Sequence, residues 1–185
     1  MKFISYDELL AFLDARQLKC WQPLPSMERS EWIDIKGFEY SSQYFTPQEP
    51  PWQLLLAKAY CEWVSASDVL AWTSLANYPV NEDTHSAVLD FRRQMGELRD
   101  IWDAPAFVAS TKILSDSLAL YIHTLQLMAY TWEGWLVSED GSRIVRIGDD
   151  ISGWCTNDID AHNSLLEVAD RLQLNFASSY HWDEL

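Results

Sequence analysis

The chain has 185 residues, 48% of them apolar and 14% aromatic, and sets 13 Lys and Arg against 28 Asp and Glu for a formal net charge of −15. An apolar fraction that large excludes a disordered polymer, and the length suits one self-sufficient domain covering residues 1–185. The charge excludes direct nucleic-acid binding and anionic membranes, because a negative field repels phosphate before contact is made; it favours cationic partners instead.

The deficit of positive charge is uneven. No Lys or Arg lies between Arg146 and Arg171, where Asp149, Asp150, Asp158, Asp160, Glu167 and Asp170 gather; a second base-free interval runs from Lys58 to Arg92. Asp7 and Glu8 stand where a signal peptide needs an apolar stretch, and the apolar run over 118–130 is broken by His123, Thr124 and Gln126. These features predict a cytoplasmic protein with no spanning segment. Cys20, Cys61 and Cys155 are odd in number and widely spaced, which argues for reduced structural thiols over a disulfide framework or a zinc site.

In chain order, Ser5 and Glu8 form a capping box, with Ile4 and Leu9 placed as a hydrophobic staple, so a helix is predicted from Ser5 to about Lys19. Trp32, Ile33, Ile35, Tyr40, Tyr44 and Phe45 predict one or two short strands within 32–45. Pro51 opens a helix carrying Trp52, Leu55, Leu56, Ala59, Tyr60 and Trp63 on one face, and Asp68 is read as the cap of another short helix through Trp72. Val88, Phe91, Met95, Leu98 and Trp102 predict a longer helix, on which Arg92, Arg93 and Arg99 pair with nearby acids. Pro105 restarts a helix to about Leu114, and a further helix after Ser115 turns Leu118, Tyr121, Ile122, Leu125, Met128 and Ala129 to the core. Asp140-Gly141 between β-rich runs predicts a hairpin near 135–147, followed by a last helix from Ile159 to Leu172. The fold expected is α+β, a helix-dominated globule with a small antiparallel β element.

Chemistry is sparse. The chain has no G-x-S-x-G elbow, phosphate-binding glycine loop or H-E-x-x-H group. A Cys155, His162 and Asp158 thiol arrangement is weighed against the acids around Cys155, which would raise the thiol pKa. Asp149-Asp150 and Asp158-x-Asp160 do not match a calcium loop, and His85, His123, His162 and His181 show no ligand spacing. Neither metal nor cofactor is expected. Glu133 between Trp132 and Trp135 is the best candidate for sugar binding or glycoside hydrolysis, since glycosidases combine carboxylates with aromatic platforms.

These observations lead to a non-enzymatic expectation: an acidic protein-binding inhibitor, such as an immunity protein or antitoxin, that occludes the active site of a basic protein such as a toxin domain. Its partner surface is assigned to Asp149, Asp150, Asp158, Asp160, Trp154, Glu133 and Trp135, combining steering charge with aromatic anchors. The alternatives are a DNA mimic that blocks a DNA-binding enzyme, and a carbohydrate-binding or hydrolytic protein built on Glu133.

Overall fold

The computed structural model describes residues 1–21, 32–65, 67–74, 82–129, 133–148 and 150–177. The elements run β1 (Lys2–Ile4), α1 (Tyr6–Asp14), β2 (Cys20–Trp21), β3 (Trp32–Ile33), β4 (Tyr40–Phe45), α2 (Pro50–Val64), β5 (Asp68–Thr73), α3 (Glu82–Gln94), β6 (Ala106–Ser110), α4 (Leu114–Ala129), β7 (Gly134–Ser138), β8 (Arg143–Ile147), β9 (Ile151–Thr156) and α5 (Ile159–Arg171). Seven strands form one antiparallel sheet in the order β1-β6-β5-β7-β8-β9-β4, while β2 and β3 pair separately. This corrects the expectation of a helix-dominated globule with a small β element: the sheet is the spine, and among the described residues five helices flank it.

The two faces of the sheet bury two cores. Val69, Ala71, Phe107, Leu136, Val145, Ile147 and Trp154 face the core shared with α2, α4 and α5, whereas Leu70, Trp72, Trp135, Val137, Ile144 and Cys155 face the core beneath α1. Alternate residues of one strand thus enter different cores, as the two-residue period of a strand requires. Because both faces are covered, β5, β7 and β9 are almost continuously buried and carry no polar alternation. That explains three corrections. The short helix after Asp68 is strand β5, the helix after Pro105 is strand β6, and β9 precedes the last helix with no sequence expectation behind it.

Local signals with their own hydrogen bonds are realised directly. Ser5 Oγ accepts from Glu8 N at 3.3 Å, Glu8 Oε2 accepts from Ser5 N at 2.9 Å, and α1 follows, though it ends at Asp14 and not near Lys19. Strands β3 and β4 occupy the segment expected to hold strands. The hairpin turns at Asp140, which accepts from Ser138 Oγ and Ser142 N, and at Gly141, whose φ of +74° favours a residue without Cβ. On α3 the helix stops at Gln94, so Leu98 and Trp102 leave the expected stripe and are exposed. Arg93 pairs with Asp90 as expected, but buried Arg92 donates to the carbonyls of Ala104, Arg99 and Asp100, and Arg99 pairs with Glu97 beyond the helix end.

Helix α4 keeps only part of its expected inward face: Met128 is buried and Tyr121 and Leu125 pack against the core. Ala119, Leu120, His123, Thr124, Leu127 and Met128 pack inward, while Leu118 is exposed. Among the described residues, no helix is long and apolar enough to cross a membrane.

Candidate functional site: an acidic end with exposed aromatics

Strand β9 and helix α5 run antiparallel to one another and separate the acids of the base-free segment into two groups. Asp150 precedes the first residue of β9 and Asp158 follows its last, so about 20 Å of strand lies between them. Helix α5 then returns along that distance and brings Asp170 back to the end where Asp150 stands. The expected single acidic face is therefore two poles; Asp149 lies outside the described residues.

At the first pole the carboxylates have structural work. Asp158 is the N-cap of α5: its Oδ1 accepts from Asp160 N at 2.9 Å and Ala161 N at 3.1 Å, which satisfies two donors at the helix start. Its other oxygen lies 3.8 Å from Arg143. Asp160, in the first helical turn, is exposed and complements the helix dipole.

The second pole is different. The register of β4 on β9 pairs Phe45 with Ile151, and Thr46 N donates to Asp150 O at 2.8 Å, so the end of β4 lies beside Asp150. Phe45 N in turn donates to Asn175 O at 2.9 Å, and Tyr44 bridges Phe176, which draws the segment after α5 onto the sheet edge. The result is a groove of about 600 Å³ whose walls include Phe45, Gln48, Glu49, Trp52, Arg171 and Leu174. Phe45 and Trp52 are each 44% exposed and Phe176 is 58% exposed. Glu49, Asp150 and Asp170 are exposed around them, with Arg171 as the base on the groove wall. Sequence reasoning missed Phe45, Trp52 and Phe176, having placed Trp52 on a core face; the Pro47 and Pro50-Pro51 breaks that set this corner were the available signal.

The tryptophans assigned to a partner surface lie elsewhere. Trp154 is fully buried, stacked on Tyr44 at 5.3 Å between ring centroids, and Trp135 is buried against Trp72 in the other core. Neither offers a surface to a partner. Glu133 forms an ion pair with Arg146 across the β7–β8 hairpin and is largely buried, so its carboxylate is held by a cation; its neighbour Trp132 lies outside the described residues.

The catalytic arrangements weighed from sequence come apart on the same geometry. Trp154 and Cys155 are neighbours in one strand and point to opposite faces: His162 sits against Trp154, while Cys155 enters the core under α1. A thiol and imidazole on opposite sides of a sheet cannot exchange a proton, and burial pushes the Cys155 thiol well up. Cys61 is likewise pushed up to about 12 by burial.

His162 does approach a hydroxyl, with Nε2 3.5 Å from Ser42 Oγ. Its Nδ1 accepts from Trp154 Nε1 at 3.2 Å, however, and burial lowers its pKa, so the neutral ring carries its proton on Nε2. A base needs a lone pair toward the nucleophile, with a carboxylate behind it. Here a donor stands behind it, and the proton faces the hydroxyl. His123 is buried in α4 against Phe107, and burial lowers its pKa to about 3. Among the described residues, no group of three or more His, Cys, Asp or Glu side chains gathers to hold a metal ion.

No family model, curated protein or solved structure matches this chain.

Proposed function

We propose that the chain is an acidic protein-binding inhibitor, of the immunity-protein or antitoxin kind, that occludes a basic protein such as a toxin domain. The observation that carries this reading is the exposure of Phe45 and Trp52 on one groove with Glu49, at the pole where Asp150 and Asp170 are also exposed. Exposed aromatics supply the anchors that dominate binding energy, while surrounding charge steers the encounter and selects a partner of opposite sign. A net charge of −15 extends that selection over the whole surface. The reading needs no proton transfer from the chain, and it leaves the capping Asp158 out of the contact.

The test is a titration of the chain against a cationic enzyme domain encoded beside its gene. The expected result is stoichiometric loss of that enzyme's activity, and the same loss fails with a Trp52→Ala chain. Catalytic turnover by the chain itself on glycoside, ester or phosphodiester substrates overturns the reading, as does undiminished inhibition by the Trp52→Ala chain.

A further inference from the structure

The groove at Phe45 and Trp52 holds two side chains of opposite charge, Glu49 and Arg171, and neither is committed inside the chain. Glu49 stands at the N-cap of α2, where a side-chain oxygen ordinarily accepts from the second or third helical residue. Here the first two helical residues are Pro50 and Pro51, which have no N–H, and the third, Trp52, donates its N–H to the Glu49 carbonyl at 3.0 Å. The donors that a cap would use are therefore missing or taken. The Glu49 carboxylate makes no cap bond and no ion pair among the described residues.

Arg171 is free for a parallel reason. It lies in the last turn of α5, where a cation can bond the terminal carbonyls, yet the backbone already satisfies them. Leu172 N donates to Val168 O at 2.9 Å, Leu174 N to Ala169 O at 2.9 Å and Gln173 N to Asp170 O at 3.0 Å. The other arginines among the described residues are engaged: Arg93, Arg99 and Arg146 pair with Asp90, Glu97 and Glu133, while Arg16, Arg92 and Arg143 donate to backbone carbonyls. In a chain of −15, the guanidinium left without an acceptor among the described residues is the one on this groove.

A groove built only to receive a base would gain nothing from Arg171, which repels the partner that the net charge attracts. Glu49 and Arg171 line one groove of about 600 Å³ without pairing to each other, so both charges are open to an answer from outside. Resting on the inhibitor reading, we infer that the cationic partner answers both: it lays a Lys or Arg side chain on Trp52 beside Glu49 and sets an Asp or Glu carboxylate against Arg171. Trp52, 44% exposed, offers the ring type that holds a cation best, and a guanidinium donates to a carboxylate through two parallel N–H groups. Arg171 is then the residue that selects among basic proteins. A basic surface with no acid at that place meets an unanswered cation and is rejected.

The sign of one substitution tests this. Arg171→Ala makes the chain more acidic, so a partner that is purely basic at this site binds the variant as tightly or more tightly, whereas a partner carboxylate loses its cation. Calorimetric titration against the cationic enzyme domain encoded beside the gene should show Arg171→Ala raising Kd by roughly tenfold or more. Arg171→Lys should recover only part of the loss, because an ammonium lacks the guanidinium fork. The Arg171 side chain makes no hydrogen bond or ion pair, so thermal melts of both variants should match wild type. Replacing the domain's Asp and Glu residues singly with Asn and Gln should then reveal one whose loss weakens binding to wild type and costs nothing further with Arg171→Ala. An Arg171→Ala chain that binds as well as wild type or better overturns the inference, as does a domain in which no carboxylate couples to Arg171. Either result leaves the inhibitor reading standing if Trp52→Ala still abolishes inhibition, whereas a wild-type chain that does not bind the domain overturns both.

Discussion

The two ends of β9 carry the same residue type and use it in opposite ways. Asp158 spends its carboxylate on two backbone donors of α5 and stands near Arg143, whereas Asp150 and Asp170 make no ion pair among the described residues and lie beside exposed aromatics. An acid count from sequence treats them alike. The difference lies in hydrogen-bond commitment: a carboxylate that satisfies helix-terminal donors supports the fold, and one left in water beside apolar surface is available to a partner.

The strongest way to break that comparison is to remove an anchor at the open pole. Trp52→Ala should lower affinity for the cationic partner by ~2–4 kcal/mol, the range of a central aromatic anchor, while the chain remains folded. Calorimetric titration beside a thermal melt measures both. Unchanged affinity would mean that the open pole is only a solvated corner.

A third acid sharpens the comparison because its commitment is deeper. Buried Glu97 accepts from Arg99 at 2.6 Å, and the Arg99 guanidinium holds its pKa down at about 2 from an ordinary 4.5. Since the folded value lies below the unfolded one, the unfolded chain binds the proton more readily, and the stabilisation is fully present above pH 4.5 and lost as the pH falls toward 2. Half-exposed Arg99 keeps the effect on the order of 1–2 kcal/mol. Denaturant midpoints at roughly pH 6 and pH 3 should show the gap between wild type and Glu97→Gln narrowing at the lower value. Equal gaps at both values would show that the pair contributes nothing.

What was legible in the sequence divides along the same physical line. The Ser5–Glu8 box, the Asp140-Gly141 turn and the last helix were readable because their signals are local, made within a few residues by the groups named. The run Val69-Leu70-Ala71-Trp72 was not, because a strand buried on both faces loses the alternation that separates it from a helix, and only α1 crossing one face and α2 and α4 the other create that burial. Residues 106–110 followed Pro105 and read as a helix start for the same reason. On α4, apolar residues on more than one side left the inward face only partly legible, with Met128 inward and Leu118 outward. Trp135 and Trp154 lie near acids in sequence, yet they point into the two cores, while the aromatics beside the open carboxylates come from β4, α2 and the segment after α5.

At the capped pole the comparison predicts a cost in stability and none in binding. Asp158→Ala removes both acceptors from Asp160 N and Ala161 N and should destabilise the chain by about 1 kcal/mol, as loss of an N-cap does, with partner affinity unchanged. Asp158→Asn keeps the acceptor oxygen and should recover most of that loss. A matching fall in affinity for the Ala variant would place the capped pole inside the interface and erase the distinction.

The smallest effect belongs to the open carboxylates. Asp150 and Asp170 are exposed, and neither makes an ion pair among the described residues, so replacing both with Asn should change folding stability by less than ~0.5 kcal/mol. Their charge acts on a partner at a distance, so the expected change is kinetic. Association with the cationic partner should slow by roughly threefold at low salt, with dissociation little altered, because steering raises the encounter rate more than it tightens the docked complex. Raising the ionic strength shortens the Debye length to about 8 Å near physiological salt and screens the wild-type advantage, so the two association rates should draw together. Stopped-flow association at two salt concentrations reads the outcome. If the double variant associates at the wild-type rate at low salt, the carboxylates of the open pole keep the chain in solution and do not steer its partner.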